Sequence, residues 1–208
     1  MDGVFMKFIR KIVLIGIFTA FVFWAGDLLA QRVQLSDSLI RLHVVADSDS
    51  EEDQRVKLLV RDKVTEFIWK GLENIPTREE AVAYLESRLP EIENLVNQTL
   101  SALGVEDRCS VSLKEEAFDT REYDTFSLPA GVYESLRIEI GDGEGKNWWC
   151  VVFPQLCVPA TAEGFSEKAV ECGYSDSLTG ALTGEEEYRV RFFLLDCLGK
   201  LENFFFDS

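Results

Sequence analysis

At 208 residues, 47% of them apolar, the chain can build one domain with a full core and does not depend on a metal or a disulfide framework to fold. Its formal net charge is −16, and no block of Lys or Arg interrupts the acidity. That excludes a nucleic-acid footprint, and anionic lipid surfaces would repel such a chain.

The N-terminus departs from this composition. Lys7, Arg10 and Lys11 precede the apolar run I-V-L-I-G-I-F-T-A-F-V-F-W-A (Ile12 to Ala25), and no charge follows until Asp27. A basic stretch followed by about 14 apolar residues is the pattern of a secretory signal, shorter than a usual ~20-residue span. A small-x-small cleavage site is poorly met, because Leu28 stands two residues before Ala30 and Phe23 two before Ala25. Residues 1–30 therefore read as a signal peptide or as an N-terminal membrane anchor with its N-terminus inside. The remainder is expected to be extracytoplasmic: a polar tether over 31–38, then one domain over 39–208, with the membrane met only through the N-terminal segment.

Leu39 to Ala46 (L-I-R-L-H-V-V-A) alternates as a strand, with Ile40, Leu42, Val44 and Ala46 on one face and Arg41 and His43 on the other. D-S-D-S-E follows, and Ser48 with Glu51 predicts a capping box opening a helix to about Lys70. Thr77 with Glu80 predicts a second cap. Its helix is expected to kink or restart at Pro90 and to stop at Gly104. Cys109 to Phe118 begins as a strand. Leu136, Ile138 and Ile140 alternate in another, G-D-G-E-G-K turns the chain, and Trp148 to Phe153 returns to a corner at Pro154. Residues 158–182, rich in Gly, Ser, Thr and Glu, read as a mobile loop. Thr183 with Glu186 predicts a third cap before a C-terminal amphipathic helix, whose wide face carries Val190, Phe193, Leu194, Cys197, Leu198, Leu201, Phe204 and Phe205. The fold class is α+β: a mainly antiparallel sheet, two packed helices and that C-terminal helix.

The chemistry-bearing residues are sparse. Asp47, Asp49 and Glu51 invite a calcium loop, but the sixth and twelfth places hold Glu52 and Leu58 where an EF-hand needs Gly and Glu. A capped, solvated acidic turn explains them better. His43 is the single histidine, and nothing in the spacing brings it to Cys150 as a nucleophile pair with an orienting group. The spacing C-x₆-C with one His does not supply a zinc set. No metal or cofactor is expected, and no enzyme activity. Five cysteines leave at least one unpaired. Export makes a Cys150–Cys157 bridge feasible, closing a loop of about eight residues and contributing roughly 2–3 kcal/mol. Trp148 and Trp149 point to opposite faces of a strand, so both enter a core only if the sheet is covered on both sides. An exposed one would suit a protein partner or a sugar ring.

These blocks carry a resemblance. I-R-L-H-V-V-A-D-S-D-S-E-E-D-Q-R-V-K-L-L-V-R-D-K-V (Ile40 to Val64), S-R-L-P-E-I (Ser87 to Ile92), L-P-A-G-V-Y (Leu128 to Tyr133) and L-R-I-E-I-G-D-G-E-G-K-N-W-W-C-V-V-F-P-Q-L-C (Leu136 to Cys157) resemble the stage II sporulation protein R family, with a weaker echo at Val190 to Leu194. Asp47 replaces a frequent Asn, and Gln155 a frequent second proline. The resemblance implies a non-catalytic signal of endospore formation. Such a protein is exported from the forespore to the intermembrane space. There it activates a membrane-embedded aspartic protease of the mother cell, leading to cleavage of the sigma-E precursor. Contact residues for that protease are expected at Asp47, Asp49 and Asp53 and at Asn147, Trp148, Trp149, Phe153 and Pro154. The alternative is a cell-envelope carbohydrate-binding module stacking sugar on Trp148 or Trp149.

Overall fold

A computed structural model describes residues 2–154 and 162–206. The chain opens with one continuous helix, α1 (Asp2–Ser38), followed by strand β1 (Ile40–Val45) and helices α2 (Glu51–Leu72) and α3 (Arg78–Ala102). Strand β2 (Cys109–Phe118), the small pair β3 (Arg121–Glu122) and β4 (Ser127–Leu128), and strands β5 (Gly131–Ile140) and β6 (Asn147–Phe153) come next. Helices α4 (Ala162–Glu171) and α5 (Asp176–Thr183), a 3-10 turn at Glu186–Tyr188, and α6 (Arg189–Phe206) complete the order.

The main sheet runs β2-β5-β1-β6. β2 with β5 and β1 with β6 are antiparallel, while β1 and β5 pair parallel, so the α+β expectation holds and the sheet is mixed. The parallel pairing follows from the long excursion between β1 and β5, which carries α2, α3 and β2.

Every residue of β1 is buried because both faces of the sheet are covered. On one face Ile40, Leu42, Val44, Leu136, Ile138, Cys150 and Val152 meet the apolar stripes of α2 (Val56, Val60, Val64, Ile68) and α3 (Leu85, Ile92, Val96, Leu100). On the other, Phe118, Tyr133 and Val151 form a second core with Leu28, Leu35 and Leu39 from the start of the chain, Phe126, and Phe165, Leu178, Leu182 and Leu195 from the late helices.

Several boundaries differ from expectation. Ser50, not Ser48, caps α2: its hydroxyl accepts from the Asp53 amide at 3.1 Å, while the Ser48 hydroxyl donates to the Asp53 carboxylate. Thr77 caps α3 as read, and α3 passes through Pro90 without ending. Thr183 is the last residue of α5 rather than a cap of α6; its hydroxyl bonds back to the Thr179 carbonyl, and Gly184 at φ +78° ends the helix. The loop expected over 158–182 contains α4 and α5 in its described part. Phe165, Ala169, Tyr174, Leu178 and Leu182 fall in the second core while Val170 is exposed, so a polar average hid two short amphipathic helices.

The tether expected over 31–38 is the last two turns of α1. Leu28, Gln31, Arg32 and Leu35, at i, i+3, i+4 and i+7, are buried. Gln31 Nε2 donates to Asp27, Ser175 and Ser177, and Gln34 Nε2 to the Gly173 carbonyl at 3.0 Å. The apolar part of α1 is long enough to cross a membrane, with mean hydropathy 2.2 in its most apolar window.

The C-terminal helix closes the second core mainly with residues outside the face expected, of which Leu194 and Leu198 alone pack against that core. Leu195, Asp196 and Gly199 are buried, whereas Val190, Phe193, Cys197, Leu201, Phe204 and Phe205 are exposed. Gly199 sets this orientation: a Cβ there would lie 1.6 Å from the Ala130 carbonyl oxygen. Asp196 accepts from the Ala130 amide at 2.9 Å, and Asn203 Nδ2 donates to the Phe118 carbonyl at 2.8 Å.

Candidate functional site

The acidic turn after β1 and the glycine turn between β5 and β6 form one unit. Asp47 Oδ1 accepts from the Asp142 amide at 2.7 Å, and Asp49 Oδ1 from the Lys146 amide at 2.7 Å. The amides of Glu144 and Gly145 reach the carbonyls of Asp47 and Ala46. Gly141 and Gly143 have φ of +60° and +65°, as a tight hairpin turn requires, and Gly145 brings its backbone against the Ser48 carbonyl, where a Cβ would lie at 2.3 Å. Lys57 Nζ donates across to the Lys146 carbonyl at 2.8 Å. Asp53 accepts from Ser48 and Ser50, and these bonds hold its pKa below the usual carboxylate range. Asp47 and Asp53 are therefore occupied within the turn, while the Asp49 side chain keeps more than half its surface in solvent.

Asn147 begins β6 beside this turn. Its Oδ1 accepts from His43 Nε2 at 2.9 Å. His43 Nδ1 lies 3.3 Å from both Glu116 Oε2 and Arg137 Nη1. Burial works to raise the Glu116 pKa, but bonds from His43 and Arg137 outweigh it and leave the carboxylate at about 2. His43 stacks on Trp149 at 3.7 Å, Phe118 meets that indole edge-on at 5.0 Å, and the Arg121 guanidinium lies 5.0 Å from the ring. Trp148 turns to the opposite face, toward α2, with Arg61 at 4.8 Å. Both indoles are partly buried against opposite cores, so neither offers the open ring that sugar stacking would use.

Cys150 and His43 do not meet. The β1–β6 register sets Cys150 opposite Leu42 and Trp149 opposite His43, so the thiol and imidazole belong to different faces. Cys150 is disulfide-bonded, which removes it as a nucleophile. Cys157, its expected partner, lies outside the described residues. Among the described residues no group of three His, Cys, Asp or Glu side chains is placed to hold a metal ion.

Sequence reasoning placed Arg41 on the second face without seeing what it does there. It is fully buried, with its guanidinium 3.9 Å from the Phe118 ring and 5.2 Å from Tyr133. Its Nη2 donates to the Tyr123 hydroxyl at 3.1 Å. Arg32 of α1 lies 5.0 Å from the same Tyr133 ring and pairs with Glu202 of α6. The glycine of L-P-A-G-V-Y makes this room, because a Cβ on Gly131 would run into the Arg32 guanidinium. Arg32, Glu116, Arg121 and Arg137 were missed. The available signal was a pair of basic side chains, Arg41 and His43, facing the same way in a strand that is otherwise apolar.

The far end of β6 opens differently. Phe153–Pro154 is a cis peptide. Both residues line a cleft of about 620 Å³ between the end of α1, the α2–α3 turn and the end of α4. Leu72, Ile75, Pro76, Phe153 and Pro154 supply apolar lining, and Asp37, Glu73 and Glu79 supply exposed carboxylates. Arg78 also lines it but is directed to Glu134 at 3.5 Å and to the Leu39 carbonyl at 3.4 Å. The eight expected contact residues thus divide. Asp47, Asp49, Asp53 and Asn147 gather at one end of β6, Phe153 and Pro154 at the other about 20 Å away, and the tryptophans lie between.

A family model described as stage II sporulation protein R matches residues 36–163, which include both ends of β6. The chain belongs to that family. The curated stage II sporulation protein R of Bacillus subtilis (strain 168) is 38% identical over 141 residues, covering 68% of this chain. The chain spans 63% of that relative's length. No solved structure matches. The side chains around His43 and in the bonded turns are occupied within the fold, whereas the cleft at Phe153–Pro154 is open to solvent and carries exposed carboxylates.

Proposed function

We propose that this protein is the exported signal of endospore formation that activates a membrane-embedded aspartic protease of the mother cell, which then cleaves the sigma-E precursor. Family membership carries the reading. It is supported by the apolar N-terminal helix, the acidic domain behind it, and the disulfide at Cys150 that suits an oxidising compartment. Activation requires only that the domain bind the active form of the protease better than the inactive one. The cleft at Phe153–Pro154 is the proposed contact, with Asp49 and Asn147 as a second point at the opposite end of β6.

The domain acts from an anchored position in this reading. Cleavage after Ala25 or Ala30 would cut beside or within turns that are bonded to α5 and α6, so retention of α1 keeps the second core whole. The test is reconstitution in a non-sporulating host that expresses the chain, the candidate protease and the sigma precursor. Precursor cleavage that depends on this chain is the expected result. Its absence despite confirmed export of folded protein refutes the proposal.

A further inference from the structure

Most of the exposed apolar side chains of α6 form one stripe, with Phe206 lying off it. Val190, Phe193, Cys197, Leu201, Phe204 and Phe205 follow spacings of three and four residues, directly opposite the buried Leu195 and Gly199. Phe193 is 63% exposed and Phe204 67%. A contiguous aromatic surface of this kind is not normally left to water.

Its position says what covers it. Asp27 is the first charge after the apolar run of α1. Arg191 Nη1 lies 2.9 Å from Asp27 Oδ2 and 2.8 Å from Gln31 Oε1, so the first turn of α6 is tied to the end of the apolar segment. Eleven residues later, Glu202 pairs with Arg32. From Asp27 to Arg32, α1 advances only about 7.5 Å, whereas α6 covers about 16 Å between Arg191 and Glu202. α6 therefore runs across α1 rather than along it. A bilayer leaflet's polar interface is about 5–8 Å deep beyond its hydrocarbon. The climb of α6 above Asp27 fits within it.

We infer that α6 lies in the headgroup layer of the bilayer that α1 enters, with its phenylalanine stripe against lipid. The inference rests on α1 being a retained anchor. Arg189 flanks the stripe and can extend to the headgroups while its stem covers apolar surface, whereas Lys200 pairs with Asp196 at 2.8 Å. The stripe lies outside residues 36–163, so a receptor shared by the family has the matched residues to meet instead. With a net charge of −16, the attachment is apolar rather than electrostatic.

Cys197 supplies the probe, since it is exposed within the stripe, Cys109 is buried and Cys150 is disulfide-bonded. The full chain carrying Cys172→Ser is labelled at Cys197 with an environment-sensitive fluorophore and reconstituted into phosphatidylcholine vesicles. Expected are blue-shifted emission and at least twofold quenching by a shallow nitroxide lipid, unchanged in 1 M NaCl, with more than half of the quenching lost in Phe193→Ser/Phe204→Ser. Quenching by brominated lipid, compared between this chain and Trp24→Phe, reports α1 insertion in the same vesicles. A label quenched by iodide and not by lipid, with Trp24 in lipid, overturns the inference and leaves the anchor standing. Trp24 out of lipid overturns the anchor and the inference with it. Efficient Cys197–Cys197 cross-linking with no lipid quenching assigns the stripe to a second copy and also overturns it.

Discussion

Leu35→Ala separates a structural α1 from a tether. Leu35 is 0% exposed and packs in the second core beside Leu28, Leu39 and Tyr133. Removing a fully enclosed leucine side chain costs about 2–5 kcal/mol, combining lost transfer energy with the cavity left behind. The surroundings do not collapse fully around it, because the guanidinium of Arg32 and the ring of Tyr133 are held by other partners. A value near 3 kcal/mol is therefore expected. With a urea m-value of about 1.5–3 kcal/mol/M for a domain of this size, the midpoint should fall by roughly 1–2 M. The assay is urea unfolding of the full chain in mild detergent, followed by near-UV signals of Trp148 and Trp149. Val33→Ala is the internal control, since Val33 sits two residues away on the opposite side of the same helix and is 57% exposed, and its expected change is within about 0.5 kcal/mol. Equal, small shifts for both variants would refute the claim that the last turns of α1 belong to the fold.

Asp47→Ala should destabilise the domain by about 0.5–1.5 kcal/mol in the same assay, because it removes the acceptor of the Asp142 amide, which water can reach, while Asp47→Asn keeps an acceptor and should lose less than half as much. Glu116 has its folded pKa depressed to about 2, so the stability it contributes is present above its unfolded value near 4.5 and is lost as pH falls through about 2. The stability gap between wild type and Glu116→Gln should therefore narrow steadily between those pH values, and a gap independent of pH there would contradict it. Gly199→Ala should lower Tm by several degrees, since the new methyl must displace either α6 or the Ala130 backbone. Glu73→Lys with Glu79→Lys should reduce precursor cleavage at least tenfold in the reconstituted system while leaving the unfolding midpoint within error, as both side chains are exposed on the cleft rim.

The first core was legible because its elements obey simple periods. α2 and α3 show apolar residues at three- and four-residue spacings behind recognisable caps, and β5 alternates cleanly where only one of its faces is apolar. The second core was not, for three physical reasons. Its helices α4 and α5 are short, so a few apolar residues are diluted by Gly, Ser and Thr. Its strand face is built from Arg41, His43, Glu116 and Arg137, charged residues that pattern reading assigns to solvent. The end of α1 hides behind an apolar run whose membrane pattern dominates, and Gln31 and Arg32 look polar until Ser175, Ser177 and Glu202 are brought to them from more than 140 residues away. The direction of α6 turned on a few residues. Its apolar side chains are spread widely enough to suit either face, and the close approach of Gly199 to Ala130, with the bonds of Asp196 and Asn203, decides which one turns inward.

The two cores share strand β6. The motif that first draws the eye, N-W-W-C-V-V-F-P, spends its middle on packing: Trp148 and Cys150 turn to one core, Trp149 and Val151 to the other. Only its ends reach solvent-facing features, Asn147 at the acidic turn and Phe153–Pro154 at the cleft. A strand packed on both faces transmits little flexibility between those ends, because each residue is held by neighbours above and below it. The separation of the two ends is then a fixed length of about 20 Å. Continuity of α1 with β1, broken only at Leu39, fixes the same strand relative to α1. Under the proposed function, a receptor would therefore meet two acidic points at a set spacing, which is the kind of geometry that can favour one arrangement of a receptor over another.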